Sequence, residues 1–135
     1  EISTFLKPDF SSEYLKFKSR VLLTRRKDLY KKIDVKMNTL DYFYSNSNIK
    51  YMHFLKIDIE GYEYQLLQGS KLAINKLKPL LILVEIHFDD QYKNNNQQTF
   101  DLLSSLNYDI YDRIKHPFGN FYDYLFVRSI PYLEN

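Results

Sequence analysis

The sequence predicts an α/β fold in which a parallel β-α-β core is followed by an antiparallel pair of strands. Residues 52–59 and 80–86 are compact apolar runs of the kind found in buried strands of parallel sheets. The segment between them carries apolar residues at helical spacing, so the three together have the form of one β-α-β unit. Residues 108–112 and 121–128 are two further strand-like runs. Only a turn with Pro117 and Gly119 separates them, which favours antiparallel pairing.

The composition limits the class of protein. A chain of 135 residues is long enough for one domain with a hydrophobic core, and its apolar content of 44% excludes an intrinsically disordered protein. The absence of Cys excludes disulfides, thiolate metal sites and cysteine nucleophiles. No apolar run is long enough to span a membrane and no signal peptide opens the chain, so we expect a cytoplasmic protein without a membrane span.

The charge is distributed unevenly along the chain. Residues 1–36 hold ten Lys or Arg and five Asp or Glu, whereas the remainder holds nine and twelve. Two interpretations stay open: a solvated connector, or a contact surface for an anionic partner. We divide the chain into a basic, partly irregular connector at 1–34, an α/β domain at 35–128 and a tail at 129–135. The basic cluster comprises Arg20, Arg25, Arg26, Lys27, Lys31 and Lys32.

Local signals predict the individual elements. Thr39 has a side chain suited to a helix N-cap. Gly69 lies inside a predicted helix, at a cost of about 1 kcal/mol relative to alanine that close contact of helix and sheet would offset. The predicted elements are a helix at 13–17, a strand at 35–39, a helix at 40–44, a strand at 52–59, a helix at 61–78, a strand at 80–86, a helix at 99–106, and strands at 108–112 and 121–128.

Two carboxylates follow the first strand of the core. Asp58 and Glu60 come at its carboxyl end, immediately before the helix, which is where ligands bind in open parallel sheets. They alternate along the chain, so both could face one side. The alternative is that Glu60 and Glu63 only stabilise the helix N-terminus, an effect of about 0.3–1 kcal/mol. Spacing alone does not choose between a site and a cap.

The second strand of the core repeats this pattern. Glu85 lies inside its apolar run, where a carboxylate needs a partner, and His87 and Asp89 follow at the carboxyl end. These side chains could supply a general base or oxygen ligands for a divalent metal, or they could be a solvated surface loop. His53, at a strand start, and His116, before Pro117, are interpreted as ordinary residues without a functional role.

Four short motifs in this order resemble the second half of the FkbM-type methyltransferases. That family carries Thr-Leu-Asp, Lys-x-Asp-x-Glu-Gly, Leu-x-Gly-Ala and a strand ending in Glu, at similar gaps. The resemblance covers residues 35–90 and continues to 128, with Ser70 in place of the family's alanine. The matching segments are Thr39-Leu40-Asp41, Phe54-Leu55-Lys56-Ile57-Asp58-Ile59-Glu60-Gly61-Tyr62-Glu63, Leu67-Gln68-Gly69-Ser70, and Pro79 with Val84-Glu85.

The resemblance implies a partial Rossmann-like methyltransferase sheet, S-adenosylmethionine as cofactor and O-methylation of a small molecule or sugar. We expect a small-molecule or sugar acceptor and no nucleic-acid partner. The base is Asp58 or His87, unless a divalent metal lowers the pKa of the hydroxyl; the sequence does not choose, and we assign no metal ligand. The candidate catalytic residues are Asp58, Glu60 and His87, and the candidate substrate-binding residues are Asp41, Glu85 and Asp89.

One feature of the family is missing from this sequence. Its cofactor-binding half has a first strand that runs into a G-x-G-like loop, whereas this chain has glycines at positions 61, 69 and 119 only. We therefore expect the cofactor-binding half to be absent, cofactor binding to be weak, and an exposed strand edge to be available for self-association. The alternative is a non-catalytic α/β binding or interaction module derived from this fold.

Overall fold

The computed structural model describes residues 9–23, 25, 33–88, 95–117 and 119–129. Within these ranges, we find no helix that could serve as a membrane span. The helices of the described part are α1 (Glu13–Val21), α2 (Leu40–Ser45), α3 (Glu63–Gln68), α4 (Lys71–Leu77) and α5 (Asn96–Ser105), and the strands are β1 (Phe54–Ile57), β2 (Leu81–His87), β3 (Tyr108–Lys115) and β4 (Phe121–Arg128).

The strands form one sheet in the order β1-β2-β4-β3. Strands β1 and β2 are parallel and are joined by α3 and α4, which confirms the predicted β-α-β core. Strand β4 is antiparallel to both β2 and β3, which confirms the predicted antiparallel pair. Strands β1 and β3 are the two edge strands of the sheet among the described residues, and β1 is the one predicted to be exposed. Self-association through this edge stays a prediction.

Alternation along the strands separates two faces of the sheet. One face is apolar and packs against the helices. Its residues form the buried core with helical residues such as Leu67 and Leu103; the strand residues of this core are Ile57, Ile82, Val84, Ile86, Tyr108, Tyr124 and Phe126. The register of β2 and β4 then places Glu85, His87, Phe121 and Asp123 together on the opposite face.

The predicted helix over residues 61–78 is two helices, because the chain turns at Gly69 and Ser70. A Cβ on Gly69 would lie 2.8 Å from Thr39 Cγ2, so glycine permits a close approach to the segment before α2. The Gly69 carbonyl accepts a hydrogen bond from Asp41 N–H (2.9 Å) instead of continuing a helix. The close contact that offsets the cost of Gly69 is therefore with the start of α2, and not with the sheet as predicted.

The predicted strand over residues 35–39 is wrong. Residues 33–39 have no regular structure, and Val35 and Met37, whose alternation suggested a strand, are both exposed. A strand is stable only where it pairs with a neighbour and packs one face, and none of the described strands pairs with this segment. The N-cap role of Thr39 is confirmed, because its Oγ1 accepts a hydrogen bond from Tyr42 N–H (3.0 Å).

Other elements differ from the sequence predictions only in their ends: α1 continues to Val21 and β3 continues to Lys115. Within the basic cluster, Arg20 and Arg25 are exposed, whereas Arg26, Lys27, Lys31 and Lys32 lie outside the described residues. The predicted site residue Asp89 also lies outside them.

Candidate functional site

Two carboxylates converge on His87 at the carboxyl ends of the parallel strands. His87 Nε2 lies 2.9 Å from Glu85 Oε1 and 3.4 Å from Glu60 Oε2. His87 is the last residue of β2 and is only 3% exposed, whereas the Glu60 side chain is 27% exposed. Because an ionised carboxylate has no hydrogen to donate, Nε2 carries the hydrogen in the bond to Glu85. The pair thus fixes the tautomer and the orientation of the imidazole.

The backbone after β1 turns sharply at Glu60 and Gly61. Glu60 has a positive φ of 54° and Gly61 one of 93°. A non-glycine residue in this region is uncommon and is found more often at functional sites than elsewhere. The turn brings the Glu60 carboxylate back to His87 rather than leaving it in solvent beyond the strand.

Glu63 lies beside this turn and is buried. Its Oε1 accepts a hydrogen bond from Gly61 N–H (2.9 Å), so it holds the turn from the start of α3. Burial raises the pKa of the Glu63 carboxyl above its usual range, and backbone hydrogen bonds and the nearby His87 oppose part of that rise. Two acids, Glu60 and Glu63, were suggested to stabilise the helix N-terminus. Glu63 is the one that supports the backbone there, whereas Glu60 lies beside His87.

A second group of side chains adjoins the first through Glu85. In the register of β2 and β4, Glu85 is paired with Asp123. His116, just beyond β3, places its Nε2 3.0 Å from Asp123 Oδ2 and 3.7 Å from Glu85 Oε2. Each oxygen of Glu85 is therefore directed towards a different histidine.

Phe121 holds the two imidazoles in a stack. Its ring centroid is 4.7 Å from that of His87 and 4.4 Å from that of His116, with both pairs nearly parallel. Gly119 in the preceding turn has a φ of 91°, and a Cβ there would lie 2.7 Å from Phe121 Cε1. This glycine is required both by the turn and by the position of the Phe121 ring, which sets the plane of His116.

Asp58 is on the same face but has a different partner. Its Oδ2 accepts a hydrogen bond from Lys56 Nζ (2.8 Å). This hydrogen bond, more than any other interaction, raises the pKa of Lys56, and the charges of Asp123 and Glu85 add to the effect. The polar face of the sheet therefore holds Asp58, Glu85 and Asp123 within electrostatic reach of one lysine.

Asp41, a predicted substrate-binding residue, lies in another contact. Its Oδ1 accepts a hydrogen bond from Ala73 N–H (2.8 Å) in the first turn of α4. Together with the contact of Thr39 and Gly69, this hydrogen bond fastens α2 to the break between α3 and α4. The structure thus brings Glu60, Glu85 and His87 together and gives Asp41 a capping contact.

Sequence reasoning missed His116, Phe121 and Asp123. His116 was interpreted as an ordinary turn residue, and no role was assigned to the other two. One signal was available: Asp123 interrupts an aromatic and aliphatic strand, as Glu85 interrupts its own. Two such acids on antiparallel neighbours could have been paired, but only a knowledge of the register places them opposite each other.

The model of the Methyltransferase FkbM domain matches residues 3–110 of this sequence. The chain belongs to this family. A solved structure from E. coli, described as a candidate DNA modification methyltransferase encoded within a prophage, is similar to it at 22% identity and a TM-score of 0.38. The similarity covers 64% of this chain and 29% of that one, so the chain spans under a third of the length of that structure. None of the curated proteins matches the sequence.

The FkbM family motifs have distinct structural contacts in this domain. Thr-Leu-Asp and Leu-x-Gly-Ser contact each other, and the acidic motif places Glu60 beside His87. S-adenosylmethionine, the cofactor that the family implies, needs a close approach of the backbone at a strand-to-helix turn, which glycine permits. Gly61 is the one glycine of the chain at such a turn. The described residues form no glycine-rich cradle.

Proposed function

We propose that this chain forms the acceptor side of an S-adenosylmethionine-dependent methyltransferase that methylates a hydroxyl group of a small molecule or sugar. One observation carries the proposal: Glu60, Glu85 and His87 converge at the carboxyl ends of two parallel strands, where ligands bind in open α/β sheets. The family membership supports the methyl transfer, and the cluster of proton-accepting groups supports an oxygen acceptor.

Within this site, we assign Glu60 as the group that accepts the hydroxyl proton. His87 is buried and its Nε2 donates to Glu85, whereas Glu60 is partly exposed beside it. The Nε2–H group also lies 3.4 Å from Glu60 Oε2, a contact that orients the Glu60 carboxylate. Asp58 forms an ion pair with Lys56 (2.8 Å), so it is the weaker candidate. His87 and Glu85 are then positioning residues for Glu60.

The cofactor supplies the methyl group when it is bound, and the described residues contribute the proton acceptor and its support. General-base assistance of this kind contributes about 10²–10⁴-fold to a rate. Holding the hydroxyl in line with the methyl group lowers the activation barrier further, because the loss of translational and rotational entropy is met on binding. Both require a hydroxyl oxygen within hydrogen-bond reach of Glu60, at about 2.6–3.2 Å.

The test is an acceptor screen with the full-length protein. Incubation with S-adenosylmethionine and a panel of sugars and small alcohols should produce S-adenosylhomocysteine with hydroxyl acceptors. The same panel converted to methyl ethers should give no product above the background without acceptor. The proposal fails if amines or thiols are methylated and hydroxyls are not. The alternative, a non-catalytic binding module, gains if the full-length protein shows no binding of S-adenosylmethionine in calorimetry.

A further inference from the structure

We propose that Glu85, His116 and Asp123 form a binding site for one divalent first-row transition ion of the zinc type. The three residues come from β2, the β3–β4 turn and β4, so the sheet itself brings them together. The proposal does not depend on methyl transfer, since ion binding is measured without cofactor or acceptor.

The spacing of the donor atoms suits one small ion. The ligand atoms of these residues all lie within 4.8 Å of one another. His116 Nε2 is 3.0 Å from Asp123 Oδ2 and 3.7 Å from Glu85 Oε2. Two ligands at about 2.1 Å from a tetrahedral ion are about 3.4 Å apart, so these separations need only small side-chain adjustments.

The chemistry of the donors selects the class of ion. One imidazole nitrogen with two carboxylates is a mixed set that suits zinc and its neighbours, whereas magnesium favours oxygen ligands in octahedral geometry. A site with three protein ligands leaves a position for water or another oxygen ligand, as in catalytic rather than structural zinc sites. The side chains are between 14% and 31% exposed, so an ion can reach them from solvent.

The surroundings hold the ligands in place before an ion arrives. The His116 ring stacks on Phe121, and the backbone N–H of His116 donates to Phe121 O (3.1 Å), closing the turn. Glu85 is fixed through its other oxygen by His87 (2.9 Å), an outer partner of the kind that orients metal-ligating carboxylates. Preorganised ligands lose less conformational freedom on binding.

Charge on this face also favours a cation. Asp58, Glu85 and Asp123 lie within electrostatic reach of Lys56, and Glu60 lies beside the same His87 Nε2 as Glu85. Among the described residues, carboxylates therefore predominate on this part of the polar face. An ion of charge +2 between Glu85 and Asp123 would offset the repulsion of two carboxylates paired in register.

The experiment titrates the full chain with Zn²⁺ by calorimetry and with Co²⁺ by visible absorption in a buffer that does not bind metals. We expect one ion per chain, and Co²⁺ absorption bands of the intensity typical of four or five ligands. His116→Ala and Asp123→Asn each remove a metal ligand. Each should weaken binding by at least about 10-fold, because losing even an outer partner of a ligand typically costs that much. Mg²⁺ should show no saturable binding.

The matched control is His53→Ala, which removes an exposed imidazole just before β1 and should leave the affinity unchanged. Asp123→Asn preserves the shape of its side chain, and thermal unfolding without metal verifies that each variant is folded. The proposal is overturned if the His116→Ala protein folds and binds Zn²⁺ as tightly as the parent, if His53→Ala loses the ion, or if the parent binds none.

Discussion

Glu85 and Asp123 lie opposite each other on adjacent antiparallel strands, with His116 Nε2 within 3.7 Å of one carboxylate and 3.0 Å of the other. Two like charges in register destabilise a sheet unless a cation or a hydrogen-bond donor separates them. His116 is that group in the structure, because its Nε2 lies near both carboxylates.

A double-mutant cycle measures this relationship. His116→Ala should lower the free energy of unfolding more in the parent than in the Asp123→Asn background, because the carboxylate pair loses its separating group only in the parent. We expect a coupling free energy of about 0.5–1 kcal/mol for these partly exposed side chains. Urea unfolding of the four proteins without metal provides the values, and a coupling of zero would remove His116 from this role.

Gly69 should not tolerate a side chain. Gly69→Ala places a Cβ 2.8 Å from Thr39 Cγ2, so we expect a loss of about 1–3 kcal/mol in the free energy of unfolding. Thr39→Ser removes that methyl group and keeps the hydroxyl that caps α2. Gly69→Ala should therefore cost less in the Thr39→Ser background by chemical denaturation. Equal costs in the two backgrounds would mean that the contact with Thr39 does not require glycine.

Asp41 is a helix cap whose role can be separated from substrate binding. Asp41→Ala removes the acceptor of Ala73 N–H and should destabilise the protein by about 1–2 kcal/mol. Asp41→Asn keeps an acceptor oxygen and should recover most of this loss in thermal unfolding. If Asp41 instead binds the substrate, the Asp41→Asn protein should have a raised KM for the acceptor and an unchanged stability.

Glu63 should make stability depend on pH. Burial raises its folded-state pKa above the ordinary value of 4.5, so the folded protein binds the proton more tightly than the unfolded chain. The stabilising contribution is present below pH 4.5 and is lost as the pH rises through the folded pKa. Glu63→Gln, which stays neutral, should gain stability relative to the parent over that rise. Denaturation at several pH values tests this, and a flat or reversed difference contradicts it.

The local patterns of the sequence predict the β-α-β core and the final hairpin because each depends on short-range features. Apolar runs of strand length and one turn with Pro117 and Gly119 are enough. The break at Gly69 and the exposed segment at residues 33–39 depend on contacts between distant residues, so periodicity alone gave the wrong result there. The methyltransferase interpretation came from the family resemblance, because the spacing of the residues alone did not indicate a reaction.

The candidate site likewise has a part that the local sequence predicts and a part that depends on strand register. Glu60, Glu85 and His87 were predicted because strand ends are visible in the sequence, and the structure brings their side chains together. His116 and Asp123 join them only through the register of β4 on β2, which follows from hydrogen bonding across 30 or more residues. The role of the Glu60 carboxylate as proton acceptor is the part of the account on which the proposed chemistry depends.

The most direct measurement of that role compares kcat for Glu60→Gln and Asp101→Asn in the full-length protein, with the acceptor found by the screen. Both changes turn a carboxylate into an amide, but Asp101 is exposed on α5, away from the polar face of the sheet. We predict that Glu60→Gln lowers kcat by about 10²–10⁴-fold and that Asp101→Asn leaves it unchanged. A Glu60→Gln enzyme with the kcat of the parent would contradict the account.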